Sequence, residues 1–442
     1  MRRWSGLLVL GLGWGVACNG TSTGNPMEGP GTAGTAGLGQ GMQLLMSEVP
    51  RDAAPELSDE DASAFAGDNQ AFAFDLYRQL HEPDENLFFS PFSISVALAM
   101  TYAGAEASTE SEMRDVLHFG LPEPRLHSGF NASLLALQGR ASELVEDAEG
   151  TGFELSIVNQ AFGQIDHPFL DSYLDVLARH YGSGLIGVDF AADPEARRIL
   201  INDWVSAQTH DRVKDLLPAD SLSRLTRLVL TNAIYFKANW ATPFKTEDTI
   251  DATFQASGGE RTVPMMTQTV RANYAQGDGY QAVELPYLSP AVRLLAILPA
   301  AGEFETFTST LASDSLREVQ AALSEHTVTV DLPRFQFESE NPLKAPLTAM
   351  GMRVPFIDGS ADFSGMADVS EWPLHVDEVY HKAFIGVDES GTEAAAATAV
   401  VINTRDSSPP PAAVRFDRPF VFCIYDEPTG QILFLGQLTD PG

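Results

Sequence analysis

The sequence predicts an α+β protein, with helices and strands mixed in one large domain. Three observations support this fold class. Amphipathic helical patterns alternate with apolar strand-like runs, no repeat or internal linker follows Phe65, and the composition is 44% hydrophobic and 20% charged, as is ordinary for globular proteins. The length of 442 residues would allow about three domains. The unbroken alternation instead predicts a single body from 65 to 442.

This body begins with a helical pattern over 72–80. A short buried strand follows at 86–89, and the turn at Ser90–Pro91 leads into a nearly all-apolar helix. A helix that is apolar all round lies in a core, and proline suits its first turn. Ser108 or Thr109 is predicted to cap the next helix.

The middle of the chain contains one long run of strand formers, from Leu228 to Trp240. This run is apolar on both faces for half its length, which predicts a strand inside a sheet. Asn232 within it is a buried amide that needs a partner. Other strands are predicted at 153–162, 280–285, 293–298 and 327–332, and helices at 169–181, 197–210 and 311–323. The last run, 414–438, is typical of a hairpin with its turn at Asp426–Gly430.

The segment from Glu389 to Arg405 reads ESGTEAAAATAVVINTR. Four alanines favour a helix, but the residues alternate in the period of a strand. One set is uncharged and small or β-branched (Thr392, Ala394, Ala396, Thr398, Val400 and Ile402), and the other set begins with Glu393. The proline run after Ser408 excludes a central strand there. The pattern therefore indicates a loop that can become a strand. An alanine-rich linker would have no reason to alternate.

On these residues the chain resembles the serpin family, and in this segment its arginine-dependent inhibitory members. The matching hinge residues are Glu389, Gly391, Thr392, Glu393, Ala394, Ala395, Ala396, Ala397 and Thr398. The resemblance covers about 375 residues, nearly everything from Phe65 onward. It implies about nine helices around three β-sheets, with an exposed reactive-centre loop at about 389–412.

The resemblance also implies a mechanism. A serine protease of trypsin-like specificity would accept Arg405, and its serine would attack the Arg405 carbonyl to form an acyl-enzyme ester while the chain from Asp406 leaves as the new amine. The freed segment would then enter the main sheet as a strand and trap the protease covalently. In the family pattern Ser90, Asn232 and His381 form a hydrogen-bonded gate beneath the opening sheet, and Trp240 marks where the loop enters. A monomer without cofactors is expected.

Three alternatives stay open. Asp406 is an unusual residue after the cleaved bond and the loop beyond it is longer than in many relatives, so cleavage after Asn403, Thr404 or Ser408 is possible. The second alternative is a serpin fold that binds or carries another molecule without inhibiting a protease. Positions 391–398, however, show none of the bulky or proline residues that spoil a hinge. An enzyme is the third. The chain lacks the nucleophile-elbow, zincin and P-loop motifs, so no catalytic or metal-binding residue is predicted.

The charge limits the partners. Sixty acidic residues against 27 Lys and Arg give a net charge of −33, which repels phosphate backbones and anionic membranes. We therefore expect no nucleic-acid partner.

The N-terminus resembles a bacterial lipoprotein signal. Arg2 and Arg3 precede a short apolar run that ends at Cys18, the residue that such signals lipidate. Gly15 stands where these signals usually carry leucine, so ordinary signal cleavage remains an alternative. The sequence thus predicts a signal peptide at 1–17, a Gly/Thr/Ala-rich tether at 18–64 and export to the cell-envelope surface or beyond. Membrane contact is expected only through the lipid. Cys423 is expected to be a small buried hydrophobe.

Overall fold

A computed structural model describes residues 41–140, 153–370, 373–392 and 411–442. Within these ranges the chain forms nine α-helices. They are α1 (Asp59–Leu80), α2 (Pro91–Tyr102), α3 (Ala107–Val116), α4 (Glu123–Gly139), α5 (Asp171–Val176), α6 (Pro194–Gln208), α7 (Phe304–Ser309), α8 (Ser313–Ala322) and α9 (Lys344–Met350).

The strands of the same ranges number 16 and include every strand expected from the apolar runs. They are β1 (Met42–Leu45), β2 (Leu87–Phe89), β3 (Phe153–Gln164), β4 (Leu185–Val188), β5 (Leu228–Asn239), β6 (Ile250–Ala256), β7 (Gly259–Gly277), β8 (Tyr280–Pro286), β9 (Val292–Pro299), β10 (Ser324–Pro333), β11 (Phe335–Pro342), β12 (Val379–Val387), β13 (Gly391–Thr392), β14 (Ala412–Arg415), β15 (Phe420–Asp426) and β16 (Gln431–Leu438). The α+β class predicted from the sequence is confirmed.

Seven strands form the first sheet, in the order β1-β4-β3-β5-β13-β12-β11. The central strand β5 is antiparallel to β3 and parallel to β12. It pairs directly with β12 only over part of its length, from Leu230 opposite Val379 to Ile234 opposite Ala383. Above that stretch the short β13 lies between β5 and β12. We call the boundary between β5 and β12 the seam.

Nine strands form the second sheet, in the order β14-β10-β7-β8-β9-β15-β16-β2 with β6 paired to β7. The resemblance implied three sheets, and β7 explains the difference in count. This 19-residue strand pairs with β6 through 259–265, with β10 through 265–274 and with β8 through 273–277. One long strand therefore joins two parts that would otherwise be separate sheets.

The core lies between the two sheets and is filled by α2, whose twelve residues are all buried. The absence of a polar face predicted this burial. A second, smaller apolar cluster includes Phe162, Ile186 and Ile201 and lies where α6 covers the first sheet.

The ordered body starts before Phe65, where the sequence placed its boundary. Met42–Leu45 forms the edge strand β1, antiparallel to β4, and α1 begins at Asp59 behind a Ser58 cap whose side chain accepts from the Asp61 amide. Arg51 Nε also donates to Asn131 Oδ1 on α4 at 2.8 Å. Residues 42–52 thus pack on the body and residues 59–64 belong to α1, although their polar composition predicted part of the tether.

Two local expectations were wrong. Helix α3 starts at Ala107 behind Glu106, which makes no side-chain cap bond, so neither Ser108 nor Thr109 is the cap. The helix expected over 169–181 is α5 followed by a π-helical turn at Leu177–Tyr181. The other long helices and the hairpin turn after Asp426 are confirmed.

Candidate functional site

The predicted hinge enters the seam at two residues. Gly391 lies opposite Asn239 and Thr392 opposite Ala238 on β5, and Thr392 also pairs with Val387 of β12. Glycine is needed at position 391 because an added Cβ would lie 2.1 Å from the Ala238 carbonyl oxygen. The hinge is therefore already docked as a short strand between the two strands that would have to part.

A tight turn leads from β12 into the hinge. The Asp388 carboxylate accepts from the amides of Ser390, at 2.8 Å, and Gly391, at 3.2 Å. Burial raises the pKa of Asp388, and these two amides act in the opposite direction. The turn reverses the chain within three residues, so the hinge runs back along the strand that precedes it.

An aromatic pair holds the docked hinge from the core side. The Tyr287 hydroxyl lies 2.7 Å from Thr392 Oγ1, and both side chains are buried. Tyr287 stacks on Trp240 with ring centroids 4.6 Å apart. Trp240 Nε1 donates to the Asp388 carbonyl at 3.0 Å. Burial raises the pKa of Tyr287 well above its usual value, so its hydroxyl stays protonated.

Glu389 anchors the start of the hinge. Its carboxylate accepts from Thr249 Oγ1 at 2.7 Å and is paired with Arg334. Burial alone would raise the pKa of Glu389, but the hydrogen bonds from Thr249 and Arg334 outweigh it and hold that pKa below its usual value. The carboxylate is therefore ionised at neutral pH and ties the hinge to the strand end just before β11.

The three residues expected to gate the sheet meet at the seam. His381 and Asn232 are register partners on β12 and β5, and His381 Nδ1 is hydrogen-bonded to Asn232 Oδ1. His381 Nε2 accepts from the Ser90 backbone amide at 3.0 Å. This arrangement requires a neutral imidazole with its hydrogen on Nδ1. Burial accordingly lowers the pKa of His381 to about 3.

Two further side chains complete the cluster. Asn232 Nδ2 donates to Ser93 Oγ on α2 at 2.7 Å and to Asn159 Oδ1 on β3. Whereas the Ser90 backbone amide donates to His381, the Ser90 hydroxyl accepts from the Ser93 amide and caps α2. The cluster therefore links β3, β5 and β12 to the start of α2, directly beneath the seam.

The chain between α6 and β5 crosses the seam on the opposite face. Lys382 Nζ of β12 donates to the Lys214 carbonyl at 3.1 Å, while the His210 ring lies 5.0 Å from that of Tyr235 on β5. Four residues of this crossing, His210, Asp211, Asp215 and Asp220, have positive φ without being glycine. This segment therefore covers the seam on the face opposite α2.

Sequence reasoning missed Tyr287, Arg334, Thr249, Ser93 and Asn159. The side chain of each contacts a hinge or gate residue far along the chain, so no local pattern revealed the contact. Glu393, Ala394–Ala397, Thr398, Arg405, Asp406 and Cys18 lie outside the described residues. In the described ranges no group of His, Cys, Asp and Glu side chains is arranged to hold a metal ion, and no helix is long and apolar enough to span a membrane.

Known proteins share this architecture. The family model described as "Serpin (serine protease inhibitor)" matches residues 67–441. An uncharacterized serpin-like protein of Thermococcus kodakarensis is 41% identical over 373 residues, covering 84% of each chain. The leukocyte elastase inhibitor of Bos taurus is 37% identical over 385 residues, covering 84% of this chain and 98% of its own.

A solved structure extends the comparison. The native state of tengpin, a thermophilic serpin, superposes with a TM-score of 0.78 at 25% identity, covering 90% of this chain and 99% of that one. The fold, the family model and these relatives agree. The chain belongs to the serpin family.

Proposed function

We propose that this serpin inhibits serine proteases by offering its loop as a substrate and trapping the acyl-enzyme. The observation that carries the proposal is the docked hinge. Thr392 points its side chain at buried Tyr287, so strand alternation would put Ala394, Ala396, Thr398, Val400 and Ile402 on the same buried side. None of these residues is charged, while Glu393 would face the other side.

The seam can receive a full strand in this register. The ten steps from Thr392 to Ile402 match the ten steps from Ala238 back to Leu228, the first residue of β5. At roughly 1 kcal/mol net per main-chain hydrogen bond, this strand would gain on the order of ten kcal/mol before apolar burial is counted. Such a gain would favour movement of the attached protease along the sheet, and trapping requires that insertion be faster than hydrolysis of the acyl bond.

Arg405 is proposed as the residue that the protease accepts. A trypsin-like pocket carries a buried carboxylate that pairs with arginine. Asp406 on the other side of the bond is unfavourable for many such enzymes, so neighbouring bonds remain part of the test. The bovine relative is named for elastase, and an elastase-type target would require cleavage beside a smaller residue.

The test mixes the chain from Cys18 onward with trypsin at equimolar ratio. We expect a band at the summed mass on a denaturing gel and a released fragment of 37 residues that starts at Asp406. A fragment of another mass would move the reactive bond to the residue it identifies. Cleavage without a complex would overturn the inhibitory mechanism.

A matched pair of variants separates insertion from cleavage. Ala394→Glu puts a charge on the side that would be buried, so cleavage should continue while the complex is lost. Ala395→Glu puts the same charge on the opposite side, beside Glu393, and should still form the complex. Equal behaviour of the two variants would contradict the proposed register.

The second candidate is a serpin that binds a small molecule without inhibiting. A cleft of about 330 Å³ between α1, α8 and the second sheet, lined by residues such as Gln70, Glu284, Leu316 and Tyr425, is where such a ligand would be sought. The same gel distinguishes the two, because a pure carrier would be cleaved without a complex or left intact.

We also propose that the chain is exported as a monomer and anchored through a lipid on Cys18. The signal-like run before Cys18 supports the anchor, and the acidic surface disfavours direct contact with anionic lipid. Mass spectrometry of the mature N-terminal peptide distinguishes a lipidated Cys18 from plain signal cleavage. Light scattering of the delipidated chain tests the monomer.

A further inference from the structure

Strand β1 determines where the N-terminal segment leaves the body. Met42 lies opposite Val188 of β4, which in turn lies beside Gln164 at the end of β3. Gly163, which precedes Gln164 in β3, lies opposite Leu228, the first residue of β5. The chain before Met42 therefore leaves at the end of the first sheet where β5 starts. The hinge lies at the other end, about 36 Å away along the twelve residues of β5.

This exit is held by side chains as well as by the β1–β4 ladder. Met42 and Leu44 pack against the apolar cluster that α6 covers. Further along, Ser47 is hydrogen-bonded to Asp175 on α5, and the Asp52 amide donates to the Arg179 carbonyl at 2.9 Å. The segment from Met42 to Asp52 is thus attached to the body at several points, so a pull from the N-terminus acts at this end of the sheet.

An inserted loop would finish at the same end. In the hinge register Ile402 reaches Leu228, so Arg405 would lie three residues beyond the start of β5. Between β1 and the inserted strand there are four strand spacings, through β4, β3 and β5, or about 19 Å. A protease joined to Arg405 would therefore finish beside the exit of the N-terminal segment.

We propose that residues 18–41 are a spacer whose length lets the chain complete trapping while Cys18 is held on a lipid surface. The proposal rests on the proposed inhibitory function. Twenty-three residues separate Cys18 from Met42, and fully extended they reach about 80 Å. A protease of about 220 residues has a radius of gyration of about 17 Å and is about 45 Å across. The full spacer clears a body of that size, whereas a short one would press it against the surface.

Loop cleavage and trapping should respond differently to the spacer. The intact loop begins at the end of the sheet away from the anchor, so the protease reaches it without passing the surface. Insertion then moves the protease to the anchored end. A short spacer should leave the rate of loop cleavage unchanged and shift the outcome from complex to cleaved inhibitor.

The experiment attaches the mature chain to phosphatidylcholine vesicles that contain a maleimide lipid. Cys423 is 2% exposed and burial raises the pKa of its thiol to about 12, so coupling occurs at Cys18, and Cys18→Ser serves as the uncoupled control. The native chain is compared with a deletion of residues 20–35, which leaves a reach of about 28 Å. Both chains are also tested free in solution, where the deletion should form complex normally.

On vesicles, trypsin should cleave both chains at the same rate, and the ratio of cleaved chain to complex should rise about tenfold for the deletion, a difference of ~1.4 kcal/mol in the competing barriers. Insertion of sixteen Gly/Ser residues in place of the deleted ones should restore the complex. Equal ratios for the long and short spacers on vesicles would overturn the spacer role while leaving inhibition intact. Absence of complex in solution for the native chain would overturn the inhibitory function itself, and the spacer role with it.

Discussion

Removal of the Tyr287 hydroxyl tests whether the hinge is held in the seam by a specific contact. In Tyr287→Phe the ring keeps its stacking on Trp240, but Thr392 Oγ1 loses its partner 2.7 Å away. Thr392 is 2% exposed, so water cannot replace the lost hydroxyl without moving the hinge. Such a loss costs about 1–2 kcal/mol, and the docked hinge should open roughly 5- to 30-fold more often.

Hydrogen exchange followed by mass spectrometry measures this opening directly. Peptides that contain Gly391 and Thr392 should exchange about 5- to 30-fold faster in Tyr287→Phe, in line with the free-energy change. Tyr173→Phe is the matched control, because the Tyr173 hydroxyl is also buried and donates to the Met100 carbonyl at 3.1 Å, far from the hinge.

The control separates local from global effects. Tyr173→Phe should lower the free energy of unfolding without changing exchange at the hinge. An unchanged hinge in Tyr287→Phe, or an equal acceleration in both variants, would refute the view that this hydroxyl holds the hinge in place.

Three further substitutions test the hinge, the gate and the reactive bond. Gly391→Ala, whose Cβ would meet the Ala238 carbonyl oxygen at 2.1 Å, should undock the hinge and reduce the trypsin complex on a gel, whereas Gly386→Ala, with its nearest atom at 3.6 Å, should not. The folded pKa of His381 is about 3 against an unfolded value near 6.5. Its contribution to stability is therefore full above pH 6.5 and is lost as the pH falls toward 3, at up to about 1.4 kcal/mol per pH unit. Urea unfolding of His381→Gln should show a shallower pH dependence in that window, and equal slopes would exclude the role. Arg405→Val should abolish the complex with trypsin and permit one with an elastase, and persistent trypsin trapping would place the reactive bond elsewhere.

Local patterns in the sequence predicted the elements that depend on local chemistry. The apolar faces of β5, the fully apolar α2 and the turn after Asp426 each required only neighbouring residues to be recognised. Strand β1 was missed because four residues, MQLL, follow a glycine-rich stretch and are too few to show a period. The length of β7 was missed because its exposed half carries charged and polar residues that interrupt the apolar pattern.

The candidate site was predictable only in part, for the same physical reason. Ser90, Asn232 and His381 were singled out by resemblance, and the structure brings them together. Tyr287 and Arg334 gave no signal, since a tyrosine just after a strand and a partly exposed arginine between two strands acquire their roles only from the hinge residues they meet, 105 and 55 positions away. Recognition of such partners requires the register of β5 and β12, which composition and periodicity do not contain.

The contacts of the hinge act both before and after cleavage of the loop. At rest, Thr392 in the seam and the Glu389 carboxylate with Arg334 fix where the loop begins. After cleavage the same two contacts set the register in which the remaining residues would add, because Thr392 is the last docked residue, from which the new strand would extend. A substitution at this point therefore changes both the resting docking and the entry of the loop. Charges at Ala394 and Ala395 would differ, in the proposed register, only in the side of the inserted strand that they occupy, so this pair of variants tests insertion separately from cleavage.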